Sequence, residues 1–340
     1  MRRLDQDPDV VSIAQELKLP SEGNAVSHIL YFCHERIRGW LKEHGPVESA
    51  QQLENLVCRK LHLTVEEFSS DEELETICDR YAGRGEGVFK SLPGTFDSET
   101  FATLIERRKA DRRSPDRFVA LIDCRGAKAF RKFFTRWHEI AHVMTNGKQL
   151  LLPLHRSSNQ QNGEEKLMDV IAAQIGYYTD LFDPILREEM RVAGGKLTFE
   201  VVDRVRARYA EEASFEATMN ACIARSQLPV SYIECGMGLK KSERNAGTTG
   251  TKPQPKLRVL KSSRGDNAPH FHLNMAVPAL SKISSSFQED FTMPLNLGTE
   301  NLSIWTHSDG RSIGTDDVCI ATRKSFDKIL ALVTTISKKP

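Results

Sequence analysis

Apolar residues recur at helical spacing over residues 24–44, where Val26, Ile29, Leu30, Phe32, Cys33, Ile37, Trp40 and Leu41 share one stripe. A second run covers residues 47–63, with Pro46 near its first turn and Leu53, Leu56, Val57 and Leu61 on its face. Residues 1–23 carry a weaker pattern and are expected to be poorly ordered or weakly helical. Ser70-Asp-Glu-Glu73 is a capping box that opens a third helix through Ile77 and Tyr81, stopped by Gly83 and Gly85. Strands are then expected over residues 87–92, 100–105 and 117–123. Helical spacing returns over 127–146, a stretch without Gly or Pro in which Phe130, Phe133, Phe134, Trp137 and Ile140 form an apolar face. Residues 163–178 read as a second buried helix, and 198–209 with 214–225 as two short helices joined by a tight turn. Beyond Pro229 strands are expected over 230–235, 256–260, 270–276, 301–306, 317–322 and 328–336, with a flexible linker over 240–255.

This is an α+β pattern. It divides into an N-terminal helical segment (1–80), a central core with its following helix pair (81–228) and a β-rich C-terminal domain (229–340).

The chemistry gathers on the helix over 127–146, which contains His138-Glu139-Ile-Ala-His142. His138 and His142 are i and i+4, so both imidazoles leave one face a turn apart and can grip one zinc ion. Glu139, beside the first of them, is placed to act as general base on a water molecule. A catalytic zinc needs a third protein ligand, and the chain offers two. One is His155, in the loop after the helix. The other is Glu165, on the next helix, where Asp169 shares its face at i+4. Two carboxylates on an otherwise apolar helix need cations or donors, and a zinc ion for Glu165 with a ligand imidazole N–H for Asp169 would satisfy both.

The His-Glu-x-x-His motif followed by Glu-x-x-x-Asp resembles the gluzincin metallopeptidases, and in detail the ImmA/IrrE family. The second helix reads Glu165-Lys-Leu-Met168-Asp169-Val-Ile171-Ala172-Ala173, with Met168 and Ile171 in place of the family's usual Ala and Phe. Phe134-Thr135 keeps part of that family's Arg-Phe-Thr opening, and residues 209–225 echo a further helix. The resemblance covers about residues 70–228. It implies a zincin-like core, one zinc per chain, and endopeptidase activity against a specific protein partner, a repressor or similar regulator, in a stress or phage-defence response. A substrate strand would add to a sheet edge beside the metal. Some relatives carry a GAF-like C-terminal domain, although no motif here demands one.

Composition changes this picture little. The net charge is +1 with 27% charged residues, so no global field favours nucleic acid or a membrane. The start lacks an apolar leader segment, and no run approaches membrane-spanning length. Seven scattered cysteines without Cys-x-x-Cys fit buried free thiols in a reducing cytoplasm. The basic run 107–117 is expected to be a solvated hairpin loop, and the helix pair after residue 198 to pack rather than read DNA, so DNA contact stays a minor expectation. The polar connector 147–163 could serve as a lid. His270 and His272 share a strand face without a third ligand nearby in sequence, and read as ordinary strand or surface histidines.

The oxyanion of a hydrolytic step needs a further donor. His155, Tyr177, Tyr178 and Tyr209 are candidates, with Tyr178 and His155 preferred for their closeness in sequence. The competing functional reading is a regulatory binding module on the same scaffold, acting without proteolysis. Glu139 argues against it, because a structural zinc has no use for a general base.

Overall fold

The computed structural model describes residues 4–107, 116–146, 154–157, 162–240, 243, 254–288, 295–307 and 309–336. The chain forms two compact units, one of residues 1–184 and 206–214, the other of residues 185–205 and 215–340. The N-terminal helices therefore belong with the central core. Residues 185–205 and 215–228, grouped with that core in the sequence reading, fall in the second unit.

The first unit opens with helices α1 (Pro8–Glu16), α2 (Ala25–His44) and α3 (Ala50–Leu61). The weak pattern before residue 23 thus hides a true helix, with Asp7 as N-cap and Pro8 in its first turn. Strand β1 (Leu63–Phe68) follows without a break and was missed in the sequence. Its two glutamates blur the alternation of a strand that lies at the edge of its sheet. Helix α4 (Asp71–Ala82) starts at the expected capping box, with Ser70 Oγ accepting from the Glu73 N–H at 3.2 Å. Residues 87–92 are not a strand. Gly87–Ser91 is a 3-10 turn that buries Phe89 and Leu92, three apart, and stacks Phe89 on Tyr81.

Strands β2 (Thr100–Glu106) and β3 (Phe118–Asp123) form as expected. With β4 (Leu154–Ser157) they complete a sheet of order β1-β3-β2-β4, in which β1 runs parallel to β3 and the other pairings are antiparallel. All six residues of β3 are buried, as a central strand requires. The basic run begins differently from the expected solvated loop. Arg107 is buried, 3.3 Å from the buried carboxylate of Glu86, and donates to the Asp116 carbonyl. Residues 108–115 lie outside the described residues.

Asp123 ends β3 under the turn into the next helix. Burial pushes its carboxyl up, but Arg125 and Lys128, both at 2.7 Å, outweigh this and hold it below the ordinary range. Helix α5 (Lys132–Thr145) then begins later than the pattern suggested. Gly126–Arg131 is a 3-10 turn that leaves Phe130 exposed, while Phe133, Trp137 and Ile140 are buried. Every residue from Thr135 to Thr145 is buried, so α5 is a core helix rather than an amphipathic surface one. Helix α6 (Gly163–Gly176) packs against it. A separate helix follows, α7 (Thr179–Val192).

Helices α8 (Phe199–Tyr209) and α9 (Phe215–Ser226) appear as expected. In the second unit, α9 packs on β5 (Val230–Gly238) and β6 (Lys256–Arg264). Arg323 lies 4.9 Å from the rings of both Phe199 and Phe215 and pairs with Asp203 at 2.5 Å, which ties the helix pair to the sheet. That sheet is antiparallel, of order β6-β5-β9-β8-β7, with β7 (Leu295–Asn301), β8 (Asp317–Ser325) and β9 (Lys328–Thr335). This five-stranded sheet makes the second unit rich in strand, with three local differences from the expected elements. Residues 270–276 are a loop joined to β6 through Val259 and a bridge between Arg258 and Ala276. Residues 301–306 mostly form a 3-10 turn after β7, and a helix the sequence did not show, α10 (Lys282–Gln288), packs on β8 and β9.

The seven cysteines are all unpaired, with Cys33, Cys78, Cys222 and Cys235 buried and Cys319 exposed. No helix among the described residues is long and apolar enough to cross a membrane.

Candidate metal centre

Helices α5 and α6 bring His138, His142 and Glu165 together. One ligand atom from each lies within 4.8 Å of the others. Glu165 Oε2 stands 3.1 Å from His138 Nε2, and its Oε1 stands 3.4 Å from His142 Nε2. The two imidazole centroids are 5.0 Å apart. His138, Glu139 and His142 are nearly inaccessible, at 1%, 1% and 4% exposure.

Local sequence explains this convergence. Asn162 caps α6 by accepting from the Glu165 N–H at 2.8 Å, so Glu164 and Glu165 sit in the first turn, where the helix dipole favours carboxylates. Gly176, at the far end of α6, lets that helix close on α5. A Cβ there would lie 3.0 Å from the indole of Trp137. Arg36 of α2 donates to the Met144 carbonyl at 2.9 Å and so closes the C-terminal end of α5.

The structure brings one of the two candidate third ligands to the histidines. Glu165 is in the triad, whereas His155 lies on strand β4, where it pairs in register with Thr103. Asp169 lies within hydrogen-bond distance of one of the two imidazoles. Its Oδ1 accepts from His138 Nδ1 at 2.8 Å, which turns the Nε2 lone pair toward Glu165. Asp169 is more exposed than its spacing implied. Glu164, an acid in the first turn of α6, stands 3.5 Å from His142 Nδ1 and takes the corresponding place for the second imidazole. No sequence signal separated it from an ordinary first-turn acid.

The tyrosines take other places. Tyr178 stacks on His34 of α2, with centroids 5.5 Å apart, and burial followed by the charge of Asp180 raises its phenol pKa. Tyr209 Oη accepts from the Tyr178 N–H and donates to the Gly176 carbonyl, so its hydroxyl latches the end of α6. Tyr177 packs among Phe133, Phe182 and Tyr209.

The residues fit a metal cation. With Nδ1 donating to Asp169, a neutral His138 turns its Nε2 lone pair toward Glu165 Oε2, 3.1 Å away, and a cation between the two acceptors would satisfy both. Donors on a tetrahedron with bonds of about 2.0–2.1 Å stand about 3.3 Å apart, which the 3.1 and 3.4 Å separations match. The local charge agrees. Burial pushes the His142 imidazole down, yet hydrogen bonds to Glu164 and Glu165 and the charge of Glu139 lift it to about 10. Burial likewise pushes the Glu165 carboxyl up, but the two imidazoles hold it well below the carboxylate range. The pocket is built for positive charge.

A second polar cluster anchors α5 from another side. Arg136 pairs with Glu54 at 2.8 Å, with Glu67 at 2.5 Å and with Glu212, and Lys132 reaches Glu212 at 2.9 Å. Three carboxylates face two cations, so one proton is favoured in the cluster. Burial puts it on Glu54, raising that pKa to about 7 against the pull of Arg136.

No family model and no curated protein sequence matches the chain. Geometry and motif carry the reading.

Proposed function

We propose that this chain is a zinc-dependent endopeptidase with a zincin-like core. The observation that carries the reading is the convergence of His138, His142 and Glu165 with Glu139 buried on the same helix turn. Two imidazoles and one carboxylate are the donor set of a catalytic zinc site, with room for a fourth position. A zinc ion held there supplies Lewis acidity, which polarises a peptide carbonyl and makes water easier to deprotonate.

The remaining work falls to the protein. Glu139 takes a proton from the attacking water and passes it to the leaving amine. Asp169 and Glu164 hold the two imidazoles in their tautomers and orientations. Strand β4 is the outer strand of the first sheet and offers an edge on which an extended peptide can pair. His155, on that strand, and Tyr178 are the candidates to steady the carbonyl oxygen.

The substrate proposed is a specific protein regulator of repressor type, cleaved in a stress or defence response in the cytoplasm. The second unit serves sensing or docking. The support is the motif resemblance and the seven unpaired cysteines.

The test compares the native chain with Glu139→Gln. Both are expected to hold about one zinc at this triad by mass spectrometry. Only the native chain should generate new protein N-termini in its host cells. Normal regulatory output from Glu139→Gln would overturn the proposal in favour of a binding module without proteolysis.

A further inference from the structure

The second unit gathers three histidines that are distant in sequence. His270 and His272 leave the loop after β6, and His307 leaves the loop after β7. Ring centroids of His272 and His307 are 4.9 Å apart at an interplanar angle of 59°. The His138–His142 pair of the first unit shows 5.0 Å and 62°. Two imidazoles sharing one tetrahedral cation stand about 5 Å apart by centroid, because each ring places its nitrogen about 2.0–2.1 Å from the ion. His270 lies against His272 at 4.0 Å.

The two loops are fixed below this surface. Phe271, between the two loop histidines, is buried and meets the buried Trp305 edge-on at 4.9 Å. Trp305 stands two residues before His307 and donates to Glu300 Oε1 at 2.7 Å. Pro269, just before His270, is held through its carbonyl by Ser231 Oγ. One aromatic pair thus anchors both loops and aims the imidazoles outward. His270 and His272 are exposed, His307 is partly so, and the first two border an open hollow of about 570 Å³.

We infer that His270, His272 and His307 form a second metal site, which takes a divalent transition-metal cation of the imidazole-preferring class, such as Zn²⁺ or Ni²⁺. The ring nitrogens do not yet converge within the spacing seen in the first triad. His270 and His272 are exposed, and an imidazole's χ2 is a broad and inexpensive torsion, so their nitrogens can turn toward a cation beside His307. The site lies wholly within the second unit and does not depend on the proposed peptidase activity.

The experiment is a Zn²⁺ titration of the full chain by calorimetry, repeated with Ni²⁺. The native chain is expected to bind two Zn²⁺, Glu165→Ala one, His272→Ala one, and the combined variant none. Single replacements of His270 or His307 should weaken the second event at least roughly tenfold. All three histidines are on the surface, so circular dichroism should confirm an unchanged fold. If Glu165→Ala misfolds, a fall from two Zn²⁺ to one on His272→Ala in the otherwise native chain carries the result. If the first triad binds no metal, the native chain binds one Zn²⁺ and His272→Ala still removes it. Equal stoichiometry and affinity in the native chain and in His272→Ala and His307→Ala would overturn the inference.

Discussion

Asp169 holds His138 through a 2.8 Å hydrogen bond while 53% of its own side chain stays accessible. Asp169→Ala should therefore leave the fold intact and weaken metal binding by about 10- to 100-fold, read by chelator competition. Glu164→Gln should do less, because its contact to His142 is longer at 3.5 Å. The i, i+4 spacing of Glu165 and Asp169 made both legible in the sequence, since two acids on an apolar helix demand partners. Glu164 was not legible, because an acid in a first turn is favourable without any ligand to orient. Glu54 offers a pH signature away from the triad. A carboxyl raised to about 7 by burial binds its proton more tightly in the folded state than in the unfolded chain. Its stabilisation is complete below about 4.5 and is lost as pH rises through about 7. Stability to urea should thus decline across that window by roughly 3 kcal/mol, and Glu54→Gln should flatten the decline. An unchanged slope in the variant would contradict the assignment.

Helices α5 and α6 place the triad only because Gly176 admits the Trp137 indole. Gly176→Ala should cost about 1–3 kcal/mol in thermal unfolding, since the ring is enclosed and cannot withdraw. It should also weaken metal binding, because displacing α6 moves Glu165. A variant that unfolds normally and binds metal normally would show that the contact is slack. Both helices were readable from hydrophobic spacing, as were β2 and β3, because long apolar runs leave few alternatives. Shorter elements were harder to read. Residues 87–92 hold enough apolar side chains for a strand but bury Phe89 and Leu92 at a period of three, against α4. Phe271 and Met275 are buried from a loop, so burial there followed anchoring rather than strand alternation. The gathering of His307 with His270 and His272 was invisible in sequence for a related reason: it depends on two loops meeting over one aromatic pair.

A metal ion at the proposed site would link binding to folding in the first unit, since the triad joins two helices that the unfolded chain leaves apart. At a metal concentration about 1,000 times the dissociation constant, the linkage contributes about 4 kcal/mol. Chelation should accordingly raise hydrogen exchange in α5 and α6, while β5 and β9 of the second unit keep their protection. Loss of protection in all four together would show a shared cooperative unit instead. The order of the second sheet also constrains how the protein is made. Strand β9 lies between β5 and β8, paired with both along most of its length. During translation, β5 to β8 emerge without the strand that joins them, leaving two edges open to wrong partners. The second unit can close only after residues 328–335 have cleared the ribosome. A message truncated before that point would yield a finished first unit joined to an unfinished sheet, a natural substrate for quality-control proteases.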